Sequence, residues 1–382
     1  MFMDITELLS SEILKLPKER KEPSEEDYEK FIRNLFCKYL ATVEGLAAND
    51  WPTQELKTNR KVLEDLCDGI CSALDRYFDG FPAQAYKELE VALNKILPWL
   101  QKLGTTKDVS SYLKYLYRIR VGSLADYRRA DIFHIPFEKR QIVSPQRYSI
   151  LGLPSLYLGG SVWVCWEEMN RPAFEQIQVS RFKAVPMSNV RVLDFAYRPA
   201  VMARFATFLQ SDLHKVTDNA EFILSYAMCW PLLADCSIRV RYPDNPFVPE
   251  YVVPQLLLQW IRDESHFEGI RYFSMRIAQH EDGLDAEQIQ AAASAAANYA
   301  FPTVRKASTG HCKQLSSQFE LSMPMAWPVI QNVQMITLDP ESGPPRWILR
   351  LHENSKILYL NTSFYSCERK INSLPCRSVT DY

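Results

Sequence analysis

Between residues 24 and 104, apolar side chains recur at intervals of three and four. The stretches "SEEDYEKFIRNLFCKYLATVEGLA", "RKVLEDLCDGICSALDRYFDG" and "PAQAYKELEVALNKILPWLQKLG" each place an apolar stripe on one face of a helix. Ser24 is positioned to cap the first, with Asp27 three residues on. The second stops at Gly80 and the third at Gly104. The pattern predicts an all-α N-terminal domain over residues 1–104.

The polar stretch "TTKDVSS", Thr105 to Ser111, interrupts the pattern and reads as a linker. Beyond it the period shortens. "YLKYLYRIRVG" alternates like a strand, "QRYSILGLPSLYLGG" reads as strand and turn, and "VWVCWEEM" as a short strand running into a helix. "FKAVPMSNVRVLDF" and "IRVRYPD" read as strands, and "FEGIRYFSMR" as a turn into a strand. Helical patterns are interspersed in "RPAVMARFATFLQSDLHKV", "YVVPQLLLQWIRD" and the Ala-rich "LDAEQIQAAASAAANYAF". The tail alternates again in "MAWPVIQNVQMITL" and "RWILRLHENSKILYL". The prediction is an α+β domain over residues 106–382 with a strand-rich C-terminal extension.

Charge sharpens the first boundary. Residues 1–105 hold 14 Lys and Arg against 19 Asp and Glu, and residues 107–147 hold nine against four. The whole chain has a formal net charge of −2, which gives no reason to expect nonspecific binding to nucleic acid or to a membrane surface. The N-terminus lacks the apolar core of a secretory signal, and no apolar run is long enough to span a bilayer, so a cytosolic protein is expected. The nine cysteines follow no framework, and His134, His214, His266, His280, His311 and His352 do not combine with them at metal-ligand spacings. Reduced thiols and no metal are expected.

Phosphate-cradling and catalytic-serine motifs are missing: there is no GxxxxGK[ST], no GxGxxG after a strand, no GxSxG and no HExxH. With 12 glycines, the chain offers few places where backbone could wrap a phosphate, so a phosphorylated ligand would be held by side chains, chiefly Arg. Arg118 and Arg120 lie two apart and share a face of their predicted strand. Arg147 opens "RYSILGLPSLYLGG". Glu167 and Glu168 follow the apolar "VWVCW". Taken singly, each Arg reads as a surface charge, the Glu pair as a helix start, Tyr157 as a core or edge tyrosine and Ser274 as an ordinary strand serine.

In order, however, "YRIR", "RYSILGLPSLYLGG", "CWEE" and "FEGIRYFSMR" resemble the RES domain, a family named for its Arg, Glu and Ser and found in toxins of bacterial toxin–antitoxin systems. The resemblance runs over roughly residues 110–305. It implies an ADP-ribosyltransferase-like fold: a split, mostly antiparallel β core with helices around it, here preceded by the all-α domain. It implies NAD+ as substrate, consumed by hydrolysis or phosphorolysis of the nicotinamide–ribose bond, in a toxic or defensive role. The family's first Arg falls on Arg118, with Arg120 as the other candidate, and its second on Arg147. Its Tyr falls on Tyr157, its Glu on Glu168 with Glu167 as runner-up, and its Ser on Ser274. Catalysis would rest on Glu168, Arg118 and Ser274, and NAD+ binding on Arg118, Arg147, Tyr157 and Ser274. Alternatives are transfer of ADP-ribose to a protein, or a RES-like module that binds a nucleotide or partner without catalysis. The expected partners are NAD+ and an antitoxin or regulatory protein, with a homo-oligomer through the N-terminal helices a further option.

Overall fold

A computed structural model of the 382-residue chain describes residues 4–21, 27–47, 50–105, 115–122, 127–185, 188, 190–209, 216–264, 266–277, 286–304, 307–332, 348–350 and 356–380. The chain runs through α1 (Ile5–Ser10), α2 (Tyr28–Glu44), α3 (Trp51–Thr58), α4 (Arg60–Phe78), α5 (Pro82–Lys95) and α6 (Leu97–Leu103). Next come β1 (Gly104–Thr105), β2 (Leu116–Val121), α7 (Arg129–Ile132), β3 (Ser155–Gly159), α8 (Val162–Glu168), β4 (Ile177–Ala184) and β5 (Val192–Phe195). Helices α9 (Pro199–Leu209), α10 (Val216–Asp235) and α11 (Val252–Glu264) follow, then β6 (Gly269–Phe273), α12 (Ala286–Ala295) and β7 (Ala297–Pro302). The chain closes with α13 (Lys313–Gln318), β8 (Phe319–Leu321), β9 (Met325–Ala326), α14 (Trp327–Asn332), β10 (Ile348–Arg350), β11 (Lys356–Leu358) and α15 (Ser363–Asn372).

Two compact units emerge. The first, helical, gathers Met1–Gly104, Pro145–Ile150 and Leu193–His266. Its amphipathic helices bury the expected stripes: Tyr28, Ile32, Leu35, Phe36, Tyr39 and Val43 on α2, and Leu63, Leu66, Cys67, Ile70, Cys71 and Leu74 on α4. Asp27 caps α2 by accepting the Glu29 N–H at 3.0 Å; Ser24 lies outside the described residues. Past the end of α4, Gly80 takes a left-handed φ of 87°, which a side chain would oppose.

The unit extends beyond residue 104, whereas the sequence pattern groups everything from 106 onward. Helix α9 packs on α1, α10 on α3, α4 and α6, and α11 on α4 and α5. The reason lies in α10, which from Ile223 to its end is buried on every face and must be surrounded by other helices. Pro231 inside α10 has no N–H to donate to the Ala227 carbonyl. Tyr39 of α2 donates its hydroxyl to that oxygen instead, at 2.7 Å, and its ring lies 4.4 Å from that of Trp230. The carbonyl that Pro231 leaves without a donor is thus satisfied from α2, and α10 runs on unbroken.

The second unit comprises Thr105–Ser144, Leu151–Val192 and Phe267–Tyr382. Its sheet runs β6-β7-β3-β2-β4-β8, with β9 also on β4. Every one of these pairings is antiparallel. The unit is therefore of α+β type. On β2, Tyr117 and Ile119 enter an apolar cluster with Val162, Trp163 and Val164 of α8, while Arg118 and Arg120 alternate to the other face. The C-terminal segment belongs to the same cluster through Trp327 of α14 and Phe364, Cys367 and Ile371 of α15.

Local departures have simple causes. "VWVCWEE" is helical throughout, because Ser161 in extended conformation accepts the Val164 N–H and starts α8 at Val162. In "IRVRYPD" only Ile238 forms a bridge, to Lys18, before the proline-rich turn. In "MAWPVIQNVQMITL", two strand residues give way to α14, whose second residue, Pro328, suits a first helical turn. The end of that stretch lies outside the described residues, as does most of "TTKDVSS". Among the described residues, no helix is long and apolar enough to cross a membrane.

Candidate functional site

The site is built around the two ends of α8. At its start, β3 ends at Gly159 and Gly160 follows it, and a side chain on either would collide with its neighbours. A Cβ on Gly159 would come 2.6 Å from Cys165 Sγ, and one on Gly160 would come 2.0 Å from the Ser294 carbonyl oxygen. The Gly160 N–H donates to Ala297 O at 2.8 Å, and Ser161 Oγ donates to Ala295 O at 2.7 Å. The short helix is thereby pressed against β7 and the end of α12.

At its other end, Glu167 and Glu168 diverge, since successive helical residues lie about 100° apart. Glu167 turns inward. Its Oε1 accepts Trp163 Nε1–H at 3.1 Å and its Oε2 accepts Arg171 Nε–H at 2.8 Å, with 10% of the side chain exposed. Asn170 and Arg171 take left-handed φ angles of 62° and 55°, which end the helix and return Arg171 toward it. Glu168 turns the other way. Its Oε1 accepts the Ser274 hydroxyl at 2.6 Å and Asn298 Nδ2–H at 2.7 Å, while Arg276 Nε stands 3.5 Å from Oε2. A third of its side chain is exposed.

Ser274 is fully buried just past β6. Its backbone N–H donates to Ala296 O at 3.0 Å, and its Oγ accepts the Arg276 N–H at 3.2 Å while donating to Glu168. Accepting one hydrogen bond and donating another fixes the hydroxyl's direction. Asn298 lies on β7 opposite Tyr272 of β6 and Gly159 of β3. Arg276 also bonds Asn170 Oδ1.

Arg118 stands where β2 and β3 pair at Tyr117↔Gly159, and its Nη1–H donates to the Tyr157 carbonyl at 3.0 Å. Burial, then the neighbouring Arg120, bring its pKa down to about 10, so it remains a cation at neutral pH. The buried Cys165 thiol is pushed up to about 12, chiefly by burial, with the Arg118 cation acting against that rise, and so stays neutral. His134, also within reach of Arg118, is held down to about 4, chiefly by burial. The Cys312 N–H donates to its Nε2 at 2.8 Å, so the ring is neutral, with Nδ1 carrying the proton toward Ile135 O.

The structure therefore brings Glu168 and Ser274 into direct contact and sets Arg118 and Tyr157 together at the β2/β3 junction. Arg120 is spent on the Asp131 carbonyl and on the Tyr127 ring, 5.6 Å away. Arg147 does not join them. It lies in the helical unit, where Nη1–H donates to Cys236 O at 3.0 Å and Nη2–H to Ile238 O at 2.8 Å, with its guanidinium 5.5 Å from the Tyr251 ring centre. Its fork serves carbonyls freed past the end of α10. Asn298 escaped the sequence reading because "NYAF" continues an Ala-rich helical pattern, and only the β-former pair Tyr299 and Phe301 hints at the change to strand. Arg276 closes "FEGIRYFSMR", two residues past Ser274. Among the described residues, no cluster of three or more His, Cys, Asp or Glu is arranged to hold a metal.

The chain is similar to "Putative toxin YopC" of Bacillus subtilis (strain 168), with 29% identity over 332 residues, covering 84% of this chain and 70% of that protein. No protein-family model matches the chain. No solved structure matches it.

Proposed function

We propose that the chain is an NAD+-consuming enzyme that breaks the nicotinamide–ribose bond, acting as a toxin. The observation that carries this reading is the Glu168 carboxylate, ionically paired and one-third exposed, held on one oxygen by Ser274 and Asn298. The nicotinamide of NAD+ is already a cation, so it leaves as a neutral ring and takes the electron pair of the glycosidic bond with it. No proton is needed for that departure. The barrier lies in the positive charge left on the ribose, and a carboxylate aimed at it stabilises that charge. Two donors on Oε1 fix the aim of Glu168 in advance. Water, which gives up a proton to bulk solvent as it adds, or the phosphate anion then bonds to the ribose carbon.

Arg118 supplies a cation for the pyrophosphate, and the Tyr157 ring a face for the nicotinamide or ribose. Ser274 and Asn298 act on the carboxylate and so are positioning residues. The antiparallel sheet, with Arg118 bridging β2 to β3, is in keeping with an ADP-ribosyltransferase-like core. The toxin role draws on the similarity to a protein named as a toxin, and with it a neutralising protein partner.

The test is to incubate purified protein with NAD+, with and without phosphate, and identify the products. Nicotinamide with ADP-ribose means hydrolysis, and nicotinamide with ADP-ribose 1-phosphate means phosphorolysis. ADP-ribose appearing on a protein means transfer. No release of nicotinamide under any condition refutes the reading.

A further inference from the structure

The C-terminal extension lies outside the stretch that resembles a known family, yet it grips the helix that carries Glu168. We propose that Glu368 of α15 is a positioning residue, which holds the start of α8 and thereby sets where Glu168 stands; this rests on the NAD+-cleaving reading above.

The geometry is direct. Glu368 Oε1 accepts the Val162 N–H at 2.7 Å and the Tyr359 hydroxyl at 2.6 Å, and the residue is 7% exposed. Val162 is the first residue of α8, where backbone N–H groups have no partner inside the helix. Ser161 already serves the Val164 N–H. Glu368 takes the N–H of Val162, which Ser161 leaves over. A carboxylate also suits the positive end of the helix dipole.

Seven residues make a helix too short to hold itself. Its placement must come from outside, and Glu168 sits about 9 Å along the axis from Val162 at 1.5 Å per residue. A tilt at one end is therefore delivered to the other. The anchor is itself fixed to the sheet. Arg181 of β4 donates Nη1–H to Asn372 O at 2.9 Å and Nη2–H to Leu374 O, and the Tyr117 hydroxyl donates to Asn372 Oδ1 at 3.0 Å. On the outer side, Trp166 of α8 stacks on Phe174, which stacks on Trp327, with Phe364 beside all three. The polar clamp at the helix start comes from beyond residue 305, and so do Trp327 and Phe364 of the aromatic wall that encloses Phe174 along its side.

Three variants of the full chain test this. Glu368→Leu fills the space and removes the acceptor. Val162→Pro removes the donor, and the first helical position and the extended Ser161 before it both tolerate proline. Glu368→Gln keeps an acceptor oxygen for Val162. The Leu and Pro variants are expected to lose about tenfold or more in kcat, with KM for NAD+ within about twofold, because the aim of Glu168 matters most in the transition state. The Gln variant should stay within about threefold of wild type. Amide hydrogen exchange across residues 162–168 should accelerate in Leu and Pro but not in Gln. Folded Leu and Pro variants with unchanged kcat, or with unchanged exchange in α8, overturn the proposal. If the wild type releases no nicotinamide, the functional reading falls by itself, and exchange in α8 still decides whether Glu368 holds the helix.

Discussion

Glu167 and Glu168 are neighbours in sequence and should respond oppositely to the same change. Glu168→Gln keeps the shape and an oxygen for Ser274 and Asn298. It loses the pairing with Arg276, between side chains 33% and 43% exposed, which is worth about 0.5–1 kcal/mol at most. Stability should barely move. Turnover should fall by about a hundredfold or more, or about 2.7 kcal/mol in the barrier, because the missing charge acts on the ribose cation. Glu167→Gln should do the reverse. The amide can still accept from Trp163, but it cannot replace a carboxylate against Arg171. A charge-assisted bond of 2.8 Å with one partner buried and the other 60% exposed is worth about 1–2 kcal/mol after screening. Nicotinamide release per folded molecule should be unchanged. Thermal melting and single-substrate kinetics on both purified variants supply the four values needed. A wild type that cleaves NAD+, beside a Glu168→Gln variant that cleaves it equally fast, refutes the role of Glu168. Loss of turnover confined to Glu167→Gln would mean that Glu167 is the reactive carboxylate and that Glu168 has no part in cleavage.

Gly160→Ala should cost about 2 kcal/mol or more of stability, because its Cβ would sit 2.0 Å from the Ser294 carbonyl oxygen and only a backbone shift relieves that; a melting temperature equal to wild type would contradict the close approach. Arg147→Lys should lower the stability of the helical unit by about 1–2 kcal/mol, since an ammonium cannot serve the Cys236 and Ile238 carbonyls with the same planar fork, while NAD+ affinity stays unchanged; weaker NAD+ binding in calorimetry would return Arg147 to the substrate. Burial raises the Asp235 carboxyl from 3.8 to about 8, so the folded chain keeps a proton that the unfolded chain releases. The resulting stability is complete below about pH 3.8, erodes by up to ~1.4 kcal/mol per pH unit as pH rises, and is gone above about 8. Asp235→Asn should flatten the decline in melting temperature between about pH 5 and pH 8, and a slope equal to wild type would show that Asp235 is ionised in the fold.

Periodic features were legible in the sequence. The stripes on α2, α4 and α5 were read in place, because an amphipathic helix declares its buried face every three or four residues. The alternation in "YRIR" likewise put Arg118 and Arg120 on one side of β2. The ordered motifs placed Glu168, with Glu167 as runner-up, and Ser274 in one candidate set without pairing them, and the fold joins Glu168 to Ser274, 106 residues away, with a 2.6 Å hydrogen bond. What stayed hidden depends on long-range neighbours. Which of two adjacent glutamates faces outward is set by the start of α8, and that start is fixed by Ser161 and by Glu368, some 200 residues away. Asn298 became a site residue only because β7 lies between β3 and β6. Arg147, one residue before a buried tyrosine in a motif that pointed to phosphate, is claimed by two carbonyls that no local pattern connects to it. From Ile223 onward helix α10 is buried all round, so its sequence required a surrounding of other helices without saying which ones. Local sequence sets the period and the turn chemistry, because those arise from one residue's geometry and its near neighbours. Which side chain meets which carbonyl is decided by tertiary packing, because a hydrogen bond between distant segments exists only once both are held in place.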